Sequence, residues 1–184
     1  MLSSVPIRRA LVAGALSCTL LVSTTACGGG DGESAAGSAT PTTTGTTEAQ
    51  KFAKARFVAN AGLAAGATYQ WIVKPYRAGK FKKGADGQKL ALAKAGLAGA
   101  FAYNRLKAAV NNAKADPLLS KAVAPVTAGI ESIKDLATKL RKGQAGDAEI
   151  GTFEDVINSV KEAGKSAGAE VTNKVPSASQ LSGG

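Results

Sequence analysis

The chain has 184 residues, with 23 Lys or Arg, 13 Asp or Glu, a formal net charge of +10 at pH 7, two cysteines and no histidine. Without histidine there is no Ser-His-Asp or Cys-His nucleophile system, and no ordinary His/Cys ligand set for zinc, copper or haem. The excess of positive charge points toward anionic partners.

The first 26 residues have the parts of a secretory signal. Arg8 and Arg9 supply a positive start, Ala10 to Val22 is uncharged and too short to span a bilayer, and Ser23 to Ala26 are small. Cys27 follows, then Gly28-Gly29-Gly30. Residues 28–47 are mostly Gly, Ser, Thr and Ala, the composition of a flexible tether.

Thr25-Ala26-Cys27 resembles the lipobox of bacterial lipoproteins, although Thr24 stands where a branched apolar residue is usual. The resemblance covers about the first 30 residues. It implies cleavage before Cys27, a diacylglyceryl group on the Cys27 sulfur, and anchoring at the extracytoplasmic face of a cell membrane. The Ala/Gly-rich start is similar to lipoproteins of high-GC Gram-positive bacteria. The alternative is plain cleavage after Ala26, which leaves a free thiol on a secreted protein. Either route removes Cys18, so the mature chain has no disulfide.

The remainder reads as all-α: a small up-down four-helix bundle over residues 48–172, then a Ser/Gly-rich tail over 173–184 that is expected to fray. Thr47 with Gln50 forms a capping box that opens the first helix, and Pro75 closes it. Asp86 caps the second, which runs to about Lys114. Asp116 with Pro117 opens the third, Pro125 bends it, and Gly143 ends it. Thr152 with Asp155 opens the fourth, which fades at Gly164 and Gly168.

Helices three and four are one-sided. Leu118, Leu119, Ala122, Val126, Ile130, Ile133, Leu136 and Leu140 share a face of the third; Phe153, Val156, Ile157, Val160, Ala163 and Ala167 share a stripe of the fourth. The first two are apolar nearly all round and read as buried bundle helices rather than membrane spans. Ala61-Gly62-Leu63-Ala64 recurs as Ala95-Gly96-Leu97-Ala98, with Tyr69-Gln70 and Tyr103-Asn104 in register. If the repeat is structural, Gly62, Gly66, Gly96 and Gly99 let these two helices cross closely.

Charge is uneven. Lys51 to Lys107 holds 12 basic residues against one acid, Asp86. The connection between the first two helices interleaves Arg77, Lys80, Lys82 and Lys83 with Tyr76 and Phe81. Cations for phosphates and rings for bases or headgroups make it a candidate polyanion-binding loop. In an up-down bundle it shares an end with Asp147 and Glu149, which would neutralise part of it.

Catalytic motifs fail on inspection. Gly79 and Gly84 have P-loop spacing, but Ala85 and Asp86 follow where Lys and Ser/Thr are needed. Gly151 and Thr152 interrupt any EF-hand pattern in the acidic run. Glu154 and Asp155 are adjacent and point about 100° apart on a helix, so they do not face each other. The sequence therefore points to a non-enzymatic envelope protein with no cofactor and no metal. It is expected to be held to the membrane by lipid and to bind an anionic wall polymer, phospholipid headgroups or a protein partner, with nucleic acid the weaker candidate. The alternative is a carrier for a small apolar ligand held between the helices.

Overall fold

The computed structural model describes residues 43–183; Cys27, the signal segment and most of the expected tether lie outside them. The described elements are α1 (Thr43–Thr68), a π turn (Tyr69–Val73), α2 (Lys74–Arg77), α3 (Gln88–Ala113), α4 (Pro117–Val123), a 3-10 turn (Ala124–Val126), α5 (Thr127–Arg141), α6 (Asp147–Ser166) and α7 (Ala178–Ser182). No strand occurs among the described residues, and none of their helices is long and apolar enough to cross a membrane. The fold is an all-α bundle.

Cross-contacts fix the directions. Lys94 lies by Trp71, while Arg105 shares a groove with Leu63, so α1 and α3 run antiparallel. Lys107 pairs with Glu131, while Gly96 abuts Arg141, which makes α3 and α5 antiparallel as well. Arg77 pairs with Glu154 and Phe57 packs on Gly164, which does the same for α1–α2 and α6. The result is up-down-up-down. Phe57, Ile72, Leu106, Leu119, Ile130, Ile133, Leu140 and Phe153 are fully buried at its centre. Ala61, Ala64, Ala95, Ala98 and Ala102 are buried with them, so alanine faces rather than large aliphatics cover the inside of α1 and α3.

Several local expectations hold for local reasons. The Asp116 carboxylate accepts from the Leu119 N–H at 2.9 Å with Pro117 at the first helical position, as an N-cap should. Gly143 (φ 68°) and Gly168 (φ 68°) take the left-handed conformation that closes α5 and α6. Pro125 sits in the 3-10 turn that interrupts the third long helix. The expected stripe of α6 is buried throughout. Leu118 departs from its predicted face: it is 64% exposed, and Val123 is buried instead.

Other helix ends differ. The first helix begins at Thr43, ahead of Thr47, because propagation adds a bond per residue once a helix is nucleated. Gly87, in the left-handed region, rather than Asp86, precedes α3, and Asp86 is exposed. The last long helix opens at Asp147, where the Gly146 N–H donates to the Glu149 carboxylate at 3.0 Å; Thr152 lies inside it and donates to the Ala148 carbonyl. Asp147 and Glu149 in that first turn also suit the positive end of the helix dipole.

Pro75 does not end the first helix. Its ring would clash with the carbonyl four residues back, at Trp71, and it offers no N–H. The chain answers by widening one turn: the Lys74 N–H reaches back to the Tyr69 carbonyl, and the helix continues to Arg77.

The glycines do not mediate a close crossing of α1 and α3. Gly96 and Gly99 abut α5, through Arg141 and Ala137. Gly62 and Gly66 face the C-terminal segment, whose backbone runs where their side chains would be. That segment does not fray. The Lys174 N–H donates to the Gly62 carbonyl at 2.8 Å, and the Trp71 Nε1–H donates to the Pro176 carbonyl at 3.2 Å. Val171, Pro176 and Leu181 are buried, and Ser177 caps α7. Apolar burial and two glycines wide enough for a backbone turn a polar-looking tail into a strap.

Candidate functional site

The loop from Ala78 to Gly87 caps one end of the bundle. Gly79 (φ 70°) lets the chain leave α2, with the Lys80 N–H bonded to the Pro75 carbonyl at 3.0 Å. Gln88 then fixes the loop from inside: its Nε2 donates to the Phe81 carbonyl at 3.0 Å, and its Oε1 accepts from the Gly84 N–H at 3.4 Å. Phe81 packs half-buried on the core beside Tyr76, ring centres 5.9 Å apart.

The six candidate residues therefore divide. Tyr76, Arg77 and Phe81 hold the end of the bundle together. Tyr76 Oη donates to Asp147 at 2.7 Å, and this bond raises the phenol above its ordinary pKa by stabilising its protonated form. Arg77 meets Glu154 at 2.6 Å. Lys80, Lys82 and Lys83 are exposed and make no ion pair among the described residues. Of the loop cations only Arg77 is paired among the described residues, and with Glu154 rather than the expected Asp147 or Glu149; Asp147 accepts instead from the uncharged Tyr76. Glu149 turns aside to Lys139 at 3.0 Å, and its carboxyl is held below its ordinary pKa, first by the Gly146 N–H and then by Lys139.

Further cations gather at this end, beyond those of the loop itself. Lys74, Lys89 and Lys142 are exposed, and Lys94 stands 5.6 Å over the Trp71 ring. Asp86 in the loop and Asp155 beside Glu154 are exposed acids without a partner among the described bonds, against exposed Lys74, Lys80, Lys82, Lys83, Lys89 and Lys142, so the surface stays basic. The signal lay in Trp71, Lys74 and Lys94, but only the pairing of α1 with α3 brings them together.

Grooves of about 170 to 680 Å³ lie around the bundle. Phe57, Leu106, Ile133, Leu140 and Phe153 are buried in the interior between α1, α3 and the one-sided helices. Among the described residues no group of three His, Cys, Asp or Glu could hold a metal ion. No family model, curated protein or solved structure matches the chain.

Proposed function

We propose that the chain is a non-enzymatic cell-envelope module, anchored by lipid at Cys27 on the extracytoplasmic face, that binds an anionic envelope component through the basic end of its bundle. The observation that carries the binding half is the trio Lys80, Lys82 and Lys83. They are exposed, free of ion pairs among the described residues, and displayed on a loop that Gln88 keeps in shape. A loop backbone held in this way has less freedom to lose when its lysines meet phosphates. The anchoring half rests on Thr25-Ala26-Cys27 and the tether composition behind it.

The position of the trio favours a wall polymer over the anchoring bilayer. The tether enters at Thr43, and α1 with its continuation through Arg77 is about 50 Å long. The basic loop stands at the far end.

Two measurements test the proposal. Intact mass of the protein from its native membrane should begin at Cys27 with diacylglycerol added, and Cys27→Ala should release it to the medium; an unmodified thiol contradicts the anchor. Co-sedimentation with a teichoic-type polymer should occur at low salt and fade as salt rises, because bound counterions are released. Binding that is absent, or indifferent to salt, contradicts the anionic target.

A further inference from the structure

Beside the basic loop, a groove of about 480 Å³ runs between the π turn and the first turns of α3. Its volume falls within the range of small-molecule sites, about 300–1,000 Å³. Trp71, Pro75 and Leu90 line it with carbon; Lys74, Lys80 and Lys94 line it with ammonium groups; Asp86 is its only carboxylate. Leu90 is 61% exposed, an aliphatic side chain with little covering it. The widened turn forced by Pro75 carries Trp71 at its centre, and such turns recur at functional sites. The strap holds the indole by its N–H, so Trp71 offers this groove a rigid apolar surface and no donor.

We propose that this groove seats a short run of a polyol-phosphate polymer, with the carbon chain on Trp71, Pro75 and Leu90 and the phosphodiesters at Lys74, Lys80 and Lys94. This deepens the reading of the basic end and rests on it. Three cations against one carboxylate select an anion. The alternation of carbon and ammonium suits a ligand in which carbon and phosphate alternate. Asp86 suits a ligand that also carries hydroxyls, since a carboxylate accepts from a hydroxyl and repels a chain of phosphates alone. A concave groove receives a strand better than a bilayer plane does.

Trp71 is the only tryptophan in the chain, so its emission reports this groove directly. The unlipidated full mature chain is titrated with poly(glycerol phosphate), and Trp71 emission and heat of binding are recorded on the same samples. Inorganic polyphosphate and anionic phosphatidylglycerol vesicles are the comparison ligands. A saturable emission change with the midpoint of the heat signal is expected for the polyol polymer, and a weaker response to polyphosphate. Leu90→Glu places a negative charge in the groove at an exposed helical position. It should abolish the emission change and weaken binding at least about tenfold, with the circular dichroism spectrum unchanged. Lys94→Gln, which leaves the floor intact, should weaken it several-fold.

Heat of binding without an emission change would overturn the groove and leave the basic end standing. No heat with any anion would overturn both. An emission change with vesicles but not with the polymer, or an equal response to polyphosphate, would overturn the polyol-phosphate assignment.

Discussion

Gly66 and the backbone of Lys174 share one space: a Cβ on Gly66 would overlap the Lys174 carbonyl. The first long helix and the last extended segment can meet only because one of them lacks a side chain there. Gly62 repeats the arrangement one turn earlier, where a Cβ would stand 2.6 Å from the Thr172 carbonyl oxygen.

Gly66→Ala should therefore destabilise the protein by about 1–3 kcal/mol, the usual cost of overpacking. A chain ending at Val171 removes the obstacle. In that background the same change should be neutral or stabilising by up to about 1 kcal/mol, since alanine is the better helix former. Urea unfolding of the four proteins measures the coupling. An equal effect in both backgrounds would mean that the strap is not what Gly66 accommodates.

Asp116 is buried, caps α4 through the Leu119 N–H, and has Lys54 at 3.7 Å. Asp116→Ala should cost about 1–2 kcal/mol, within the range for a lost N-cap. Asp116→Asn keeps an acceptor for Leu119 and should recover most of the loss. If both cost the same, the charge facing Lys54 matters more than the cap.

Two carboxyls set an acid limit. Glu149 is held below its ordinary value near 4.5, first by the Gly146 N–H and then by Lys139. Glu131 is held below it by the Tyr103 hydroxyl, which donates at 2.7 Å, and by Lys107. Because these folded-state pKa values lie under the unfolded ones, their stabilisation is present above about pH 4.5 and is lost as pH falls through the folded values. The wild-type melting temperature should drop more between roughly pH 5 and pH 3 than that of the Glu131→Gln/Glu149→Gln double variant. Parallel curves would show that neither carboxyl is stabilised by folding.

The sequence was most legible where structure is decided within a few residues. Asp116-Pro117, Gly143, Gly168 and the stripe from Phe153 to Ala167 each declare themselves through a cap, a left-handed glycine or a 3.6-residue period. Pro75 reads as a stop because it lacks an N–H, whereas a widened turn satisfies the same constraint and lets the helix continue. The strap could not be read at all. Trp71 and Pro176 are 105 residues apart, and nothing in the Ser/Gly-rich tail signals that Pro176 and Leu181 will be buried. The candidate site was half legible: composition found the basic loop, but the engagement of Arg77 with Glu154 depends on which face α6 turns toward α2. Lys74 and Lys94, far apart in sequence, meet only in the antiparallel pair.

The basic end is proposed to bind anions by the position of its cations and not by net charge alone. Two triple variants with equal charge separate the two: Lys80, Lys82 and Lys83 to Gln at the loop, and Lys114, Lys121 and Lys165 to Gln near the opposite end, all six being exposed. Their affinities for poly(glycerol phosphate) should be measured across a salt series. At about 0.5 kcal/mol for each exposed ion contact, three contacts amount to about 1.5 kcal/mol, so the loop variant should lose about tenfold in affinity and show a flatter salt dependence. The far-end variant should stay within about twofold of wild type. Equal losses in the two variants would contradict the account.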